Sequence, residues 1–167
     1  PKTPDLAFDL GRVIGVADSA LKSFQHAGLD RDFKWNLMQS LWIKPELAIV
    51  ADPIRRNILD KIVVDFASIV PRLESLPKQA LHNDINDYNI LVVDDFCAPR
   101  RITGLFDLGD MCRAPRICDL AIAAAYVVLD QIDPEAVLEA LVFGYHTANP
   151  LQPEELDLLC PLLQMRL

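Results

Sequence analysis

The chain has 167 residues, 51% hydrophobic and 24% charged, which fits one globular domain with a sizeable core and excludes disorder as its main state. Sixteen Lys and Arg against 24 Asp and Glu leave a formal charge of −8. So acidic a chain repels phosphate backbones and anionic lipid, which sets aside nucleic acid and membranes as partners and leaves small cations, or anions carried with a divalent metal.

Apolar residues at helical spacing (Leu6, Leu10, Val13, Ile14, Ala17, Leu21, Phe24) predict a first helix over Leu6–Ala27. The segment from Asp30 to Ala51 reads as short helices and loop. Asp52-Pro53 is a start signal, and Ile58, Ile62, Phe66 and Ile69 carry a helix to about Val70, where Pro71 should end or kink it. Then the character changes. Gln79–Leu81, Ile90–Val93 and Arg101–Phe106 are short strand-like runs, with Asp94–Arg100 as a hairpin connection. Pro115 opens a third helix with Ile117, Leu120, Ala121, Ala124 and Val128 on its apolar face. Asp133-Pro134 repeats the start signal, and a last helix begins after Pro153 and runs to the end. The fold class is α+β, mostly helical, with a β-hairpin region inserted in its middle.

The cysteines Cys97, Cys112, Cys118 and Cys160 have no metal-ligand spacing, and Cys118 and Cys160 read as small hydrophobes in helices. Reduced thiols, no apolar run of roughly 18 residues and no signal segment before Pro1 point to the cytoplasm. Trp35 and Trp42 read as core, with the lining of an acceptor pocket as the alternative. Tyr88 reads as packing under its loop, and Arg100 and Arg101 as a solvated pair.

The unusual residues sit where strands stop. His82-Asn83-Asp84-Ile85-Asn86-Asp87-Tyr88-Asn89 precedes one strand, and Gly104-Leu105-Phe106-Asp107-Leu108-Gly109-Asp110 ends its return. Asp and Asn favour turns, which accounts for any one of them. His-x-Asp-x-x-x-x-Asn, a strand, a return strand and Asp-x-Gly together suit phosphoryl transfer. A strand pair can bring Asn89 and Asp107 to one end as hard oxygen ligands for Mg²⁺, with Asp84 positioned to accept a proton from a hydroxyl.

This combination resembles the catalytic and metal loops of the protein-kinase-like fold, and more closely its aminoglycoside phosphotransferase and choline kinase branch. Asp9-Leu10-Gly11-Arg12, Arg31-Asp32-Phe33-Lys34-Trp35, Cys118-Asp119-Leu120-Ala121-Ile122-Ala123, Gly144-Tyr145-His146 and Leu151–Leu167 extend it. In that form the chain is similar to hydroxylysine kinases and to the kinase-like domain fused to class III aminotransferases. The resemblance implies Asp84 as catalytic base, Asn89 and Asp107 as ligands of Mg²⁺ on ATP, His82 as loop organiser and Asp119 as a buried brace. Asp87 and Asp110 read equally as solvated loop acids or as candidates for binding the amine of the acceptor, an amino alcohol or hydroxylated amino acid such as hydroxylysine. Leu108 stands where the wider fold often has an aromatic. No Gly-rich loop and phosphate-holding Lys precede the first helix. The expectation is therefore the helical C-terminal lobe, residues 1–167, of a larger kinase, its N-terminal lobe absent, its end truncated, and inactive alone. A fused aminotransferase domain is a possible partner. The alternatives are a non-catalytic kinase-like lobe serving as a binding or structural module, and a metal-dependent hydrolase; the latter usually wants more ligands, often His.

Overall fold

Among the described residues, four of the five α-helices begin at a proline, whose missing N–H costs nothing in a first turn. The computed structural model describes residues 2–93 and 100–167. Helix α1 spans Pro4–Leu21, α2 Pro53–Ser75, α3 Ile117–Val128, α4 Pro134–Ala148 and α5 Pro153–Arg166. Asp52 caps α2 through Oδ1, which accepts from Ile54 N at 2.8 Å, and Asp133 caps α4 by accepting from Ala136 N at 3.0 Å. Among the described residues four strands, β1 Lys78–Leu81, β2 Ile90–Val93, β3 Arg101–Leu105 and β4 Cys112–Pro115, form two antiparallel pairs, β1–β4 and β2–β3.

Several boundaries differ from the sequence expectation. Helix α1 stops at Leu21, not Ala27, and Phe24, which would extend its apolar stripe, stands 45% exposed. His26 instead caps a 3₁₀ turn, Ala27–Asp30, its Nδ1 accepting from Gly28 N at 3.0 Å. Helix α2 passes through Pro71 to Ser75: Ala67, whose carbonyl loses its partner there, is exposed, so that carbonyl is open to solvent and costs little. Its buried stripe is Val63, Phe66, Ile69 and Leu73, and Ile58 faces solvent. Pro115 does not open α3; it pairs with Lys78 in β4, a strand too short to leave a periodic signal. The segment expected to be short helices and loop holds a 3₁₀ segment, Leu37–Ile49. Residues 94–99, most of the expected connection and Cys97 with it, lie outside the described residues.

Helix α3 is the centre. Every residue from Ile117 to Ala125 is buried, and a helix apolar all round belongs inside. It packs on α4 and α5, while α1 lies against α4 and α2 against α5 and the 3₁₀ segment Leu37–Ile49. Burial pushes the Cys112 thiol up to about 12, with the Asp119 charge adding to it, and raises the Cys118 thiol as well, so both behave as small hydrophobes. Cys160, in contrast, is exposed on α5.

Arg116 joins α3 to the α4–α5 connection. Its guanidinium donates to both carboxylate oxygens of Glu155, Nε at 2.8 Å and Nη2 at 2.6 Å, to Asn149 Oδ1, and to Pro150 O at 2.7 Å. Burial alone would raise the Glu155 carboxyl; the Arg116 hydrogen bonds, the Gln152 N–H and the Arg116 charge outweigh it and hold Glu155 below its ordinary value. A lowered carboxyl contributes stability that is present above its unfolded value, about 4.3, and lost as pH falls through the folded one. Glu155→Gln should therefore cost about 2–3 kcal/mol at pH 7 and progressively less below pH 4. Thermal melts of both proteins across that range check this, and a pH-independent difference would contradict it.

Candidate active site

Strand β1 runs directly into the His82–Asn89 loop, and the β1–β4 pair lays the start of that loop over the first turn of α3. There Asp119, fully buried, accepts two successive backbone bonds, His82 N to Oδ2 at 2.9 Å and Asn83 N to Oδ1 at 2.6 Å. Adjacent N–H groups converge on one carboxylate only if the chain turns sharply, and Asn83 takes the left-handed region, φ 66°, that Asn tolerates better than most residues. Its side chain donates to Trp35 O at 3.2 Å.

The ring of His82 is engaged on both nitrogens. Nδ1 accepts from Asp84 N at 3.3 Å, so the ring proton sits on Nε2, 2.9 Å from Phe106 O. One imidazole thus ties the loop to the residue before Asp107. Asn89 Nδ2 donates to Asp84 Oδ2 at 2.8 Å and to Asp84 O at 2.9 Å; with both contacts acceptors, the amide can have only this orientation. The Asn89 oxygen therefore points away from Asp84. Across the β2–β3 pair, Ile90 faces Leu105 and Phe106 N donates to Asn89 O at 3.1 Å. This brings Asn89 and Asp107 to one end of the hairpin. Asp107 is exposed, with φ 62°, and accepts from Gly109 N at 3.2 Å through Oδ1.

The structure brings His82, Asp84, Asn89, Asp107 and Asp119 around one loop crossing. Asp110 closes the 3₁₀ turn Leu108–Asp110 next to Asp107, and Arg31 Nη2 clamps that turn by donating to Gly109 O at 2.7 Å, its guanidinium 4.1 Å from the Phe33 ring centroid. Asp87 instead forms an ion pair with Lys2 Nζ at 2.9 Å. Tyr88 does not pack under the loop; it is 87% exposed, beyond the turn in which Asn86 Oδ1 accepts its N–H at 2.8 Å. Trp35 is not core either, being 55% exposed. It lines, with Trp42, Leu47, Val63, Met165 and Arg166, an apolar cleft of about 420 Å³. Among the described residues no group of three or more His, Cys, Asp or Glu side chains is placed to hold a metal ion, and no helix is long and apolar enough to cross a membrane.

Three residues here escaped the sequence reading. Arg166 Nη2 donates to Asp84 Oδ1 at 3.1 Å and to Tyr126 Oη at 3.2 Å, joining the far end of α5 to the loop. Asp9 Oδ2 accepts from Ile102 N at 2.6 Å, beside the irregularity in the β2–β3 register. Only Asp9 carried a signal, as part of the Asp-Leu-Gly-Arg run; single Arg and Tyr side chains in helices carry none.

Residues 1–158 match the Phosphotransferase enzyme family. The chain belongs to that family. It is 28% identical over 176 residues to a hydroxylysine kinase of Xenopus laevis, covering 98% of this chain and 47% of that protein. To a hydroxylysine kinase of Danio rerio it is 27% identical over 169 residues, with 98% and 48% covered. This phosphotransferase-family chain thus spans about half the length of the curated relatives it matches. An amicoumacin kinase solved in complex with AMP-PNP, Ca²⁺ and Ami superposes with a TM-score of 0.67 at 17% identity, over 99% of this chain and 49% of that one. The architecture is that of a mostly helical lobe of a kinase-like fold, as the sequence predicts.

Proposed function

We propose that the chain is the helical lobe of an ATP-dependent small-molecule kinase that moves the γ-phosphoryl group to a hydroxyl of an amine-bearing acceptor. The observation that carries this is the Asp84 carboxylate, oriented by Asn89 at 2.8 Å on a loop that His82 and Phe106 lock to the Asp107 turn. A base, and two hard oxygens at one hairpin end, are the parts phosphoryl transfer asks of this lobe.

The donor set suits Mg²⁺ carried by ATP: an amide oxygen turned away from Asp84 and a surface carboxylate are two hard ligands, and Mg²⁺ takes its remaining positions from phosphate and water. Asn89 and Asp107 would hold the ion, which would offset phosphate charge. Asp84 accepts the hydroxyl proton as the acceptor oxygen attacks. Asp119 and His82 keep the loop in register, and Arg166 holds the second Asp84 oxygen. Exposed Leu91, Phe106 and Leu108 beside these loops support a second lobe closing over the nucleotide, as does the chain's span of half its relatives. The cleft lined by Trp35, Trp42 and Arg166 adjoins Asp84 through Arg166 and is where the acceptor would lie, with Glu46 at its wall for a cationic group. Asp110, beside Asp107, and Asp87, already paired with Lys2, are further candidates for the amine.

The test is ADP release by the intact protein with hydroxylysine, ethanolamine and related amino alcohols, at a cytoplasmic pH. Release that depends on the acceptor supports the proposal; nucleotide binding without turnover on any of them favours a non-catalytic lobe. In the same protein Asp107→Ala should weaken Mg²⁺-ATP binding about tenfold or more while leaving metal-free nucleotide affinity within a factor of three. Equal loss of both would remove Asp107 from the metal site.

A further inference from the structure

Asp18, near the end of α1, is 1% exposed and has no part in the chemistry described above. Tyr145 Oη, on α4, donates to its Oδ2 at 2.6 Å, and Gln79 Nε2, on β1, donates to its backbone oxygen at 2.7 Å. Asn149 Nδ2 donates to Tyr145 Oη at 3.3 Å, so the phenol proton is committed to Asp18. Asp18 Oδ1 is buried and, among the described residues, meets no N–H or O–H donor. Its neighbour is the carboxyl of Asp119.

Two buried carboxylates cannot face each other as anions, and one proton between them turns repulsion into a hydrogen bond. The backbone decides which partner keeps the charge. Asp119 accepts from His82 N and Asn83 N, one on each oxygen, and neither amide can release a proton, so Asp119 must present acceptors there. Asp18 has one oxygen with a donor and one without, the pattern of a neutral acid.

We propose that Asp18 is a carboxylic acid whose Oδ1–H donates to Asp119, and that it is a positioning residue for the His82–Asn89 loop. The chain of contacts runs from Tyr145 to Asp18, to Asp119, to the two loop amides, so α1 and α4 set the orientation of the carboxylate on which the loop hangs. Burial pushes the Asp18 carboxyl well up, and the Asp119 charge adds to it; the Tyr145 bond and the Arg116 charge oppose more weakly. Burial raises Asp119 too and keeps it above its ordinary value, although its two backbone bonds and the bond from Asp18 lower it. The other titratable groups here are His82, with both ring nitrogens bonded, Arg116, paired with Glu155, and the thiols of Cys112 and Cys118, kept protonated by burial.

Infrared difference spectroscopy on the intact protein, labelled with carboxyl-¹³C aspartate, tests this directly. At pH 7 a protonated-carboxyl C=O band is expected that shifts with the label and in D₂O and is missing from Asp18→Asn. No such band, or one that persists in Asp18→Asn, overturns the proposal whatever the protein catalyses. Asp18→Asn keeps a donor toward Asp119 and an acceptor for Tyr145, so near pH 4 its melting temperature should stay within about 3 °C of wild type, while Asp18→Leu loses about 5–10 °C. Failure of Asp18→Asn to fold would show that an anion is required and would equally overturn it. A raised carboxyl contributes stability that is present at low pH and lost as pH rises through the folded value. Asp18→Asn should therefore gain on wild type as pH rises above about 4. The positioning role in turnover rests on the kinase reading: well below their melting points, Asp18→Leu should lower kcat about tenfold at unchanged nucleotide KM, and Asp18→Asn should restore it. Unchanged kcat in a folded Asp18→Leu would overturn that role even where the infrared band is present.

Discussion

Replacing Asp84 by Asn in the intact protein is expected to lower phosphoryl transfer by about 10²–10⁴-fold, the usual worth of a positioned general base. The change is nearly isosteric but not silent. The carboxylate accepts from two donors, Asn89 Nδ2 at 2.8 Å and Arg166 Nη2 at 3.1 Å. An amide at position 84 can accept through only one atom, so one of these two contacts becomes donor against donor. A loss of about 1–2 kcal/mol in stability should accompany the loss of turnover, too little to unfold a domain of this size. Mg²⁺-ATP affinity should change by no more than a few-fold, since Asn89 and Asp107 remain. Steady-state kinetics, a melt and nucleotide titration together make the check. A folded Asp84→Asn with near-normal kcat would remove Asp84 as base, and with it the proposed mechanism.

The largest structural effect is expected at the α1–α4 crossing. A Cβ on Gly144 would lie 1.9 Å from Phe8 O, and one on Gly11 would lie 1.9 Å from Leu141 O. Both obstacles are backbone, so no side chain can turn aside and the helices must separate. Helix propensity by itself favours Ala over Gly by about 1 kcal/mol, so the two effects have opposite sign. Overpacking against fixed backbone wins, and Gly144→Ala should cost about 3 kcal/mol net, roughly 6–12 °C in melting temperature. Stabilisation instead would mean that α1 and α4 do not touch there. Because α1 carries Asp18 and Asp9, the same variant should also disturb the site from a distance, through the Tyr145–Asp18 bond and the Asp9–Ile102 bond.

What the sequence made legible is local. Asp52-Pro53 and Asp133-Pro134 marked helix starts because a cap and its proline act within one turn. The spacing from His82 to Asn89, and the Asp-Leu-Gly after the return strand, could be read because the covalent chain alone sets how far such side chains sit from each other. Helix ends were less legible. Phe24 continued a periodic stripe with nothing to bury it, and Pro71 interrupted one that Phe66, Ile69 and Leu73 hold together by packing. Strand β4 was missed because four residues, Cys112–Pro115, become a strand only through the partner β1 supplies.

The sequence by itself determined the helical class, the strand pair β2–β3 and the identities of the residues at its loops. Only the tertiary structure decided that Asp119 meets the amides of His82 and Asn83, 37 and 36 positions away, that Arg166 meets Asp84 across 82, and that Asp18 lies beside Asp119. Such contacts leave no periodic trace, since each depends on where whole helices pack and not on the residues beside it. Burial then does what sequence cannot: it sets two carboxyls together out of water, where their charge state is decided by which one the backbone amides reach.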